Sequence, residues 1–373
     1  MLRSIGKSCF AYAYTWTGAS RFLSRQTLAG MPFIVCYHRV VENFERSVMG
    51  AIPSMLTSAA MLERQIDWLA KRFSVLPLDE IGRRLESGRP FEKPAAAITF
   101  DDGYSDGYHH AFPLLKRKGI PAAFFVVTGL VDTGRPQIFD RLYLLLRLLE
   151  LHGMPPALTL ERTLQSIGLD ARKLGQLHSA TCEPFTIMTA VLNSFTREEV
   201  ERAIDALEDR ISSRKDLLYE MAPLSWSMVE TMHRGGMTIG SHTKSHLLMT
   251  SETAETARRE LIESKQALES HLNTDIHHFA YPDGRFNSSA VQSVERAGYR
   301  FGYSICHSRD QNRPLLTIPR KVLWERSCVN AFGMFSSAVM NCQTHWAFDS
   351  KNRCEHDHST IGGEEKNGTL TSA

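Results

Sequence analysis

Six short apolar runs recur along the chain, and the spacing between them is what most constrains the fold. Residues 33–38 (FIVCYH), 95–100 (AAAITF), 122–127 (AAFFVV), 237–242 (MTIGSH), 278–282 (HFAYP) and 299–305 (YRFGYSI) are mostly rich in Val, Ile, Phe or Tyr and bounded by Gly, Pro or Asp. That is the pattern of buried strands. Helical periodicity fills several of the gaps, at 61–73 (MLERQIDWLAKRF), at 253–272 (TAETARRELIESKQALESHL) and at 287–298, where Asn287 serves as a cap and Gly298 as a stop. Strands alternating with helices predict a parallel sheet or barrel. A chain of 373 residues exceeds one average domain but suits a single barrel.

The rhythm breaks between about 130 and 224. DRLYLLLRLLELHG and TREEVERAIDALEDRI are strongly helical, which predicts a helical insertion within a domain spanning 31–345. Residues 346–373 are polar and are expected to form a disordered tail. Cys354, His356 and His358 lie in it, where a metal site is not expected. Residues 1–30 are expected to form an N-terminal helical segment. Arg3 and Lys7 precede CFAYAYTWTGAS, and Arg21 and Arg25 follow it. Tyrosines and threonines interrupt that run, so it makes a poor secretory signal. It is either a helix packed on the outside of the domain or a basic amphipathic helix on a membrane surface. No later run is apolar enough to span a membrane.

A net charge of +2 gives no basic field, so nucleic acid is not an expected partner. The seven cysteines are scattered and contain no C-x-x-C pair, which argues against a disulfide framework or a thiolate zinc site. It points to a reducing compartment, cytoplasmic or peripheral to the inner membrane.

Two strand ends carry the chemistry. TFDDGY places Asp101 and Asp102 after the run 95–100. Adjacent buried carboxylates repel unless a cation or shared proton intervenes, although Asp-Asp-Gly is also a common surface turn. SHTKSH places His242 and His246 after the run 237–242. If the segment forms one helical turn, both imidazoles share a side, as paired ligands do. Two histidines and a carboxylate make a common zinc triad with one position open. The second carboxylate is then free to act as a general base.

These motifs resemble those of the polysaccharide deacetylases, also called the NodB-homology domain or carbohydrate esterase family 4. TFDDGY is similar to the family's first motif and SHTKSH to its second, over roughly residues 31–128 and 225–325. The resemblance implies a distorted (β/α) barrel of about seven parallel strands. It implies Asp101 as general base, and Asp102, His242 and His246 as ligands of a divalent metal, zinc foremost, with cobalt or manganese as alternatives. The segment FAYPDGRFN has Ala280 where many members carry an arginine, and looks like a FAYP-x-G subgroup. Tyr281, Pro282 and Asp283 correspond to the loop that lines the site and offers a backbone N–H to the oxyanion. Arg320 is a candidate replacement for the missing arginine, or else a surface charge at a strand start. The family's C-terminal Leu-x-x-His motif is not recognisable. His38 is the positional candidate for the general acid, or else a structural histidine, with His277 and His307 weaker candidates.

The implied function is metal-dependent removal of N-acetyl groups from an amino-sugar polymer or oligosaccharide, with membrane or envelope-assembly association a further expectation. Hydrolysis of another acyl group, or a non-catalytic sugar-binding role for the same fold, are the alternatives.

Overall fold

The computed structural model describes residues 2–17, 31–175, 183–211 and 220–348. The strands in chain order are β1 (Phe33–Tyr37), β2 (Arg39–Val41), β3 (Leu56–Ser58), β4 (Ser74–Val75), β5 (Ala95–Phe100), β6 (Ala123–Val126), β7 (Thr238–Ser241), β8 (His278–Ala280), β9 (Phe301–Ser304), β10 (Ile318–Pro319) and β11 (Lys321–Val322). The main sheet runs β10-β9-β8-β7-β6-β5-β1-β11, with β4 beside the start of β5. All its pairings are parallel. Only Arg320 separates β10 from β11, so one interrupted strand pairs with β9 on one side and β1 on the other. This nearly closes the sheet into a distorted (β/α) barrel. β2 and β3 pair separately.

Side-chain alternation along each strand divides the apolar residues into two sets. Ile34, Ala97, Phe125, Ala280, Tyr303 and Ile318 form one cluster. Val35, Tyr37, Ile98, Phe100 and Phe124 join a larger cluster with residues of the surrounding helices, such as Leu62, Ile66, Leu115, Leu261 and Val294. The predicted helices form where their apolar spacing placed them, at Ala59–Ala70, Ala254–Leu272 and Ser288–Arg296. The Asn287 side chain accepts a hydrogen bond from the Ala290 amide, and Gly298 adopts φ +79° just beyond the last of these helices.

The insertion folds as helices Ile138–Leu151, Pro156–Ser166, Pro184–Ser194 and Arg197–Glu208. They bury an apolar cluster of their own, including Leu142, Leu149, Leu164, Ile187 and Ile204. Thr196 and Glu199 cap the last helix reciprocally. At the N-terminus, helix Leu2–Trp16 packs through Ala11 on Ala338, Val339 and Cys342 of helix Ser337–Thr344. Trp346 and Phe348 lie near this layer, each under a lysine ammonium, so ordered packing continues past residue 345. The rest of the tail, with Cys354, His356 and His358, lies outside the described residues. Among the described residues no helix is long and apolar enough to cross a membrane.

Candidate active site and metal centre

β5 delivers two carboxylates to the C-terminal rim of the barrel, where barrel active sites gather. Asp102 and Gly103 both adopt left-handed backbone, at φ +71° and +70°, which gives the neighbouring carboxylates different surroundings. Both side chains are buried, at 4% and 3% exposure.

Asp101 is fully engaged by protein. Its Oδ1 and Oδ2 accept hydrogen bonds from Nη1 and Nη2 of Arg320, each at 2.7 Å, a bidentate pairing. The Cys36 thiol donates to Oδ2 at 3.2 Å. Burial pushes the Asp101 carboxyl up, but the Arg320 guanidinium outweighs it and the net direction is down. Arg320 is completely buried, held over the rings of Phe125 and Tyr303 at 5.1 and 6.0 Å, and bonded also to the Thr99 hydroxyl. It is therefore not a surface charge. Ala280 and these two rings belong to one apolar cluster, so the arginine absent from β8 is matched by one on the closing strand.

Asp102 has the opposite surroundings. Neither of its oxygens receives a hydrogen bond, although Oδ1 lies 3.3 Å from Nε2 of both His242 and His246. His242 Nδ1 is 2.8 Å from the Ala280 carbonyl. A carbonyl can only accept, so Nδ1 carries a proton, which leaves Nε2 as the nitrogen that can ligate a metal. Burial raises the Asp102 pKa, and the two imidazoles bring it well below the usual carboxylate range. Burial lowers that of His246, and the adjacent Asp102 raises it above its ordinary value. Three ligand atoms within 4.8 Å of one another, with an orphaned buried carboxylate among them, fit a divalent cation. Cys36, His38 and Asp101 form a second such group, but Arg320 already holds both oxygens of that carboxylate.

The histidine segment is not a helical turn. Residues 243–245 form a turn, and Thr243 and His246 have φ of +64° and +57°. Several anchors hold it. The amides of Thr128 and Gly129 donate to the carbonyls of Thr243 and Lys244, and Glu260 accepts from the Ser245 amide and hydroxyl. The four-residue spacing therefore brings the imidazoles together through a looped turn, with His242 continuing the pairing of β7 by its amide to Val126.

His38 follows β1 and lines the same cavity as Asp101, Asp102, His242, His246 and Asp283. Its Nδ1 is buried and has no hydrogen-bond partner. Asp283 has φ +53° in a tight turn, Pro282–Gly284. Pro282 is buried in that turn, and the ring of Tyr281 packs in the core against Phe279 and Phe286, so only the backbone of Tyr281 belongs to the loop. His277 lies in a separate polar cleft with Asp79 and Arg300, and His307 contacts Trp346.

A model of the polysaccharide deacetylase family matches residues 88–158 and 184–302, about half of the chain. The chain belongs to the polysaccharide deacetylase family. The Bacillus subtilis protein YxkH is 20% identical over 253 residues, which are 67% of this chain and 60% of that protein. A poly-β-1,6-N-acetyl-D-glucosamine N-deacetylase of Escherichia coli is 35% identical over 81 residues, 21% of this chain and 12% of the relative. The chain thus spans less than two thirds of the length of these curated relatives. Two solved structures share the fold, each with a TM-score of 0.50. One is the Streptococcus pyogenes deacetylase PplD in complex with acetate, at 18% identity, covering 80% of this chain and 95% of that one. The other is IcaB from Ammonifex degensii, at 17% identity, covering 85% and 97%. Metal dependence is general in the family, and Asp102, His242 and His246 are a group whose ligand atoms could hold such an ion.

Around this deacetylase-family centre lie groups that sequence reasoning did not single out. The Gln137 side chain donates to the Asp102 carbonyl at 3.3 Å. The Tyr104 hydroxyl donates to Asp140 Oδ2 at 2.6 Å, and Arg39 pairs with Asp106 at 2.9 Å while lying 5.3 Å from the Tyr104 ring. Burial raises the Asp140 carboxyl to about 7. Gln137 and Asp140 belong to the start of the insertion, so its first helix braces the Asp101–Tyr104 turn. The sequence signal was Asp140 itself, an acid among Ile138, Phe139, Leu142 and Tyr143 at the start of this helix.

Proposed function

We propose that this chain is a metal-dependent hydrolase that removes the acetyl group from an N-acetylated amino sugar in a polymer or oligosaccharide. One observation carries the reading: an orphaned carboxylate, Asp102, faces two imidazole nitrogens beside a second carboxylate, Asp101, that an arginine holds ionised. The E. coli relative's action on poly-β-1,6-N-acetyl-D-glucosamine supports the substrate class.

Asp102, His242 and His246 would hold the cation, with zinc the first candidate. When bound there, a divalent ion supplies a Lewis acid for the acetyl carbonyl and a nucleophile ionised near neutral pH. The remaining roles belong to side chains. Asp101, ionised and fixed by Arg320, accepts the proton of the attacking water. The backbone N–H of Asp283, next to the buried Pro282, faces the developing oxyanion. His38 hands a proton to the departing amine. The products are acetate and a free amino sugar.

The test is acetate release from N-acetylglucosamine oligomers by the metal-loaded protein, with and without a chelator. Acetate that disappears on chelation and returns with zinc, cobalt or manganese is expected. Undiminished release from demetallated protein contradicts the reading.

A further inference from the structure

The cavity over Asp101 and Asp102 has a volume of about 410 Å³, within the range of small-molecule sites, roughly 300–1,000 Å³. An acetyl group leaves most of it unfilled. Its far wall comes from the insertion, chiefly Phe139, Phe185, Met188, Leu192 and Phe195. Phe185, Met188 and Leu192 share one face of helix Pro184–Ser194 at helical spacing. Ile187, Met188 and Val191 of the same helix are buried in the insertion's own core and Leu192 packs against it, so Phe185 is the residue this face leaves most exposed. A helix apolar on both sides is ordinarily covered on both, yet Phe185 is 47% exposed.

The polar residues on this wall are few, and each is partly engaged with protein. The Thr189 hydroxyl donates to the Phe185 carbonyl at 2.9 Å. Asn193 Oδ1 accepts from Arg285 at 3.0 Å. Arg197 donates to the Ser245 carbonyl at 2.6 Å and pairs with Glu201 at 3.1 Å. Sugar hydroxyls laid against the apolar side chains between them would lose water without gaining partners there. Hydrocarbon would not.

Building on the deacetylase reading above, we propose that the substrate is an amphiphile: an N-acylated amino sugar carrying a hydrocarbon chain that lies against the insertion wall. The chain has two possible sources, a lengthened N-acyl group or an alkyl or lipid group on the saccharide. Both present the same chemistry to Phe185 and Leu192.

The experiment uses the full-length, metal-loaded protein and two substrate series below their micelle concentrations. One is N-acetylglucosamine as its methyl, butyl and octyl glycosides. The other is the methyl glycoside with acetyl, butanoyl and octanoyl on nitrogen. Carboxylate release gives kcat/KM, and equilibrium dialysis against Asp101→Asn protein gives binding. In one series kcat/KM is expected to rise about tenfold or more from the shortest chain to the octyl member, since each buried methylene adds to affinity. The rising series identifies the source. Phe185→Ser, at a half-exposed position where folding is not at stake, and Leu192→Asn should shrink the long-to-short ratio several-fold. A flat response in both series, or rates that grow only with the number of unsubstituted sugar residues, overturns the proposal. If nothing is hydrolysed but the octyl glycoside binds more tightly than the methyl one, and Phe185→Ser abolishes the difference, the hydrolase reading fails while the apolar site stands. No turnover and no binding difference overturns both.

Discussion

Asp101 and Asp102 are neighbours in sequence but differ in every partner, and the assignment of roles rests on that difference. Removing Arg320 takes away the guanidinium that both Asp101 oxygens accept from. In Arg320→Met the Asp101 carboxyl should hold its proton more tightly, and the acid limb of the kcat/KM–pH profile should move to higher pH. Loss of one partner of a buried pair also costs about 3–5 kcal/mol, readable in urea unfolding. An unmoved acid limb would show that Asp101 is not the group that titrates in turnover. Asp140 offers a stability test. Burial lifts its carboxyl from 3.8 to about 7, so between those values the folded chain binds more protons than the unfolded one. Stability then falls as pH rises from about 4 through 7. Asp140→Asn should flatten that slope relative to the parent, measured as urea midpoints at pH 5 and pH 8. At this scale the two acids and two histidines were legible because each pair is local in sequence. Arg320 could be named but not placed. Asp140 was out of reach, because its partner Tyr104 is 36 residues away and only the folded chain brings them together.

The strands were the most readable elements, since buried strands of three to six residues leave unbroken apolar runs. The closing strand was not, because Arg320 splits it into two pairs of residues, too short to form a run. The histidine segment was misread in shape, because the i, i+4 spacing that favours a helical turn is equally served by a turn with two left-handed residues. The loop after β8 makes a comparable demand. Gly284 has φ +65°, and a methyl group there would run into Ile305. Gly134 has the same φ with nothing within 4 Å of a methyl group. Gly134→Ala should cost about 1 kcal/mol. Gly284→Ala should cost more and lower turnover by displacing Asp283, with metal binding retained. Equal effects of the two substitutions on stability and turnover would remove this loop from the site.

Across the whole molecule the barrel and the insertion each have a core, yet they meet at the active centre. The insertion was legible as helical and as an interruption of the barrel rhythm. Which of its residues line the cavity over the carboxylates was not, since apolar positions on a helix read alike whether they face a core or a cavity. Because Gln137 and Asp140 brace the Asp101–Tyr104 turn, loosening the insertion should reach the chemistry. Leu164→Ala, deep in the insertion cluster, should cost 2–5 kcal/mol and depress turnover at temperatures where the barrel remains folded by circular dichroism. Full activity with a melted insertion would make it dispensable. The central claim is the division of labour between a metal-holding triad and a separate base. Metal content and acetate release, measured together on the parent, Asp101→Asn and His246→Ala, test it most directly. The account predicts that Asp101→Asn keeps stoichiometric zinc while turnover drops by roughly 10²–10⁴, and that His246→Ala loses both. Loss of zinc in Asp101→Asn, or full turnover in metal-free His246→Ala, would contradict it.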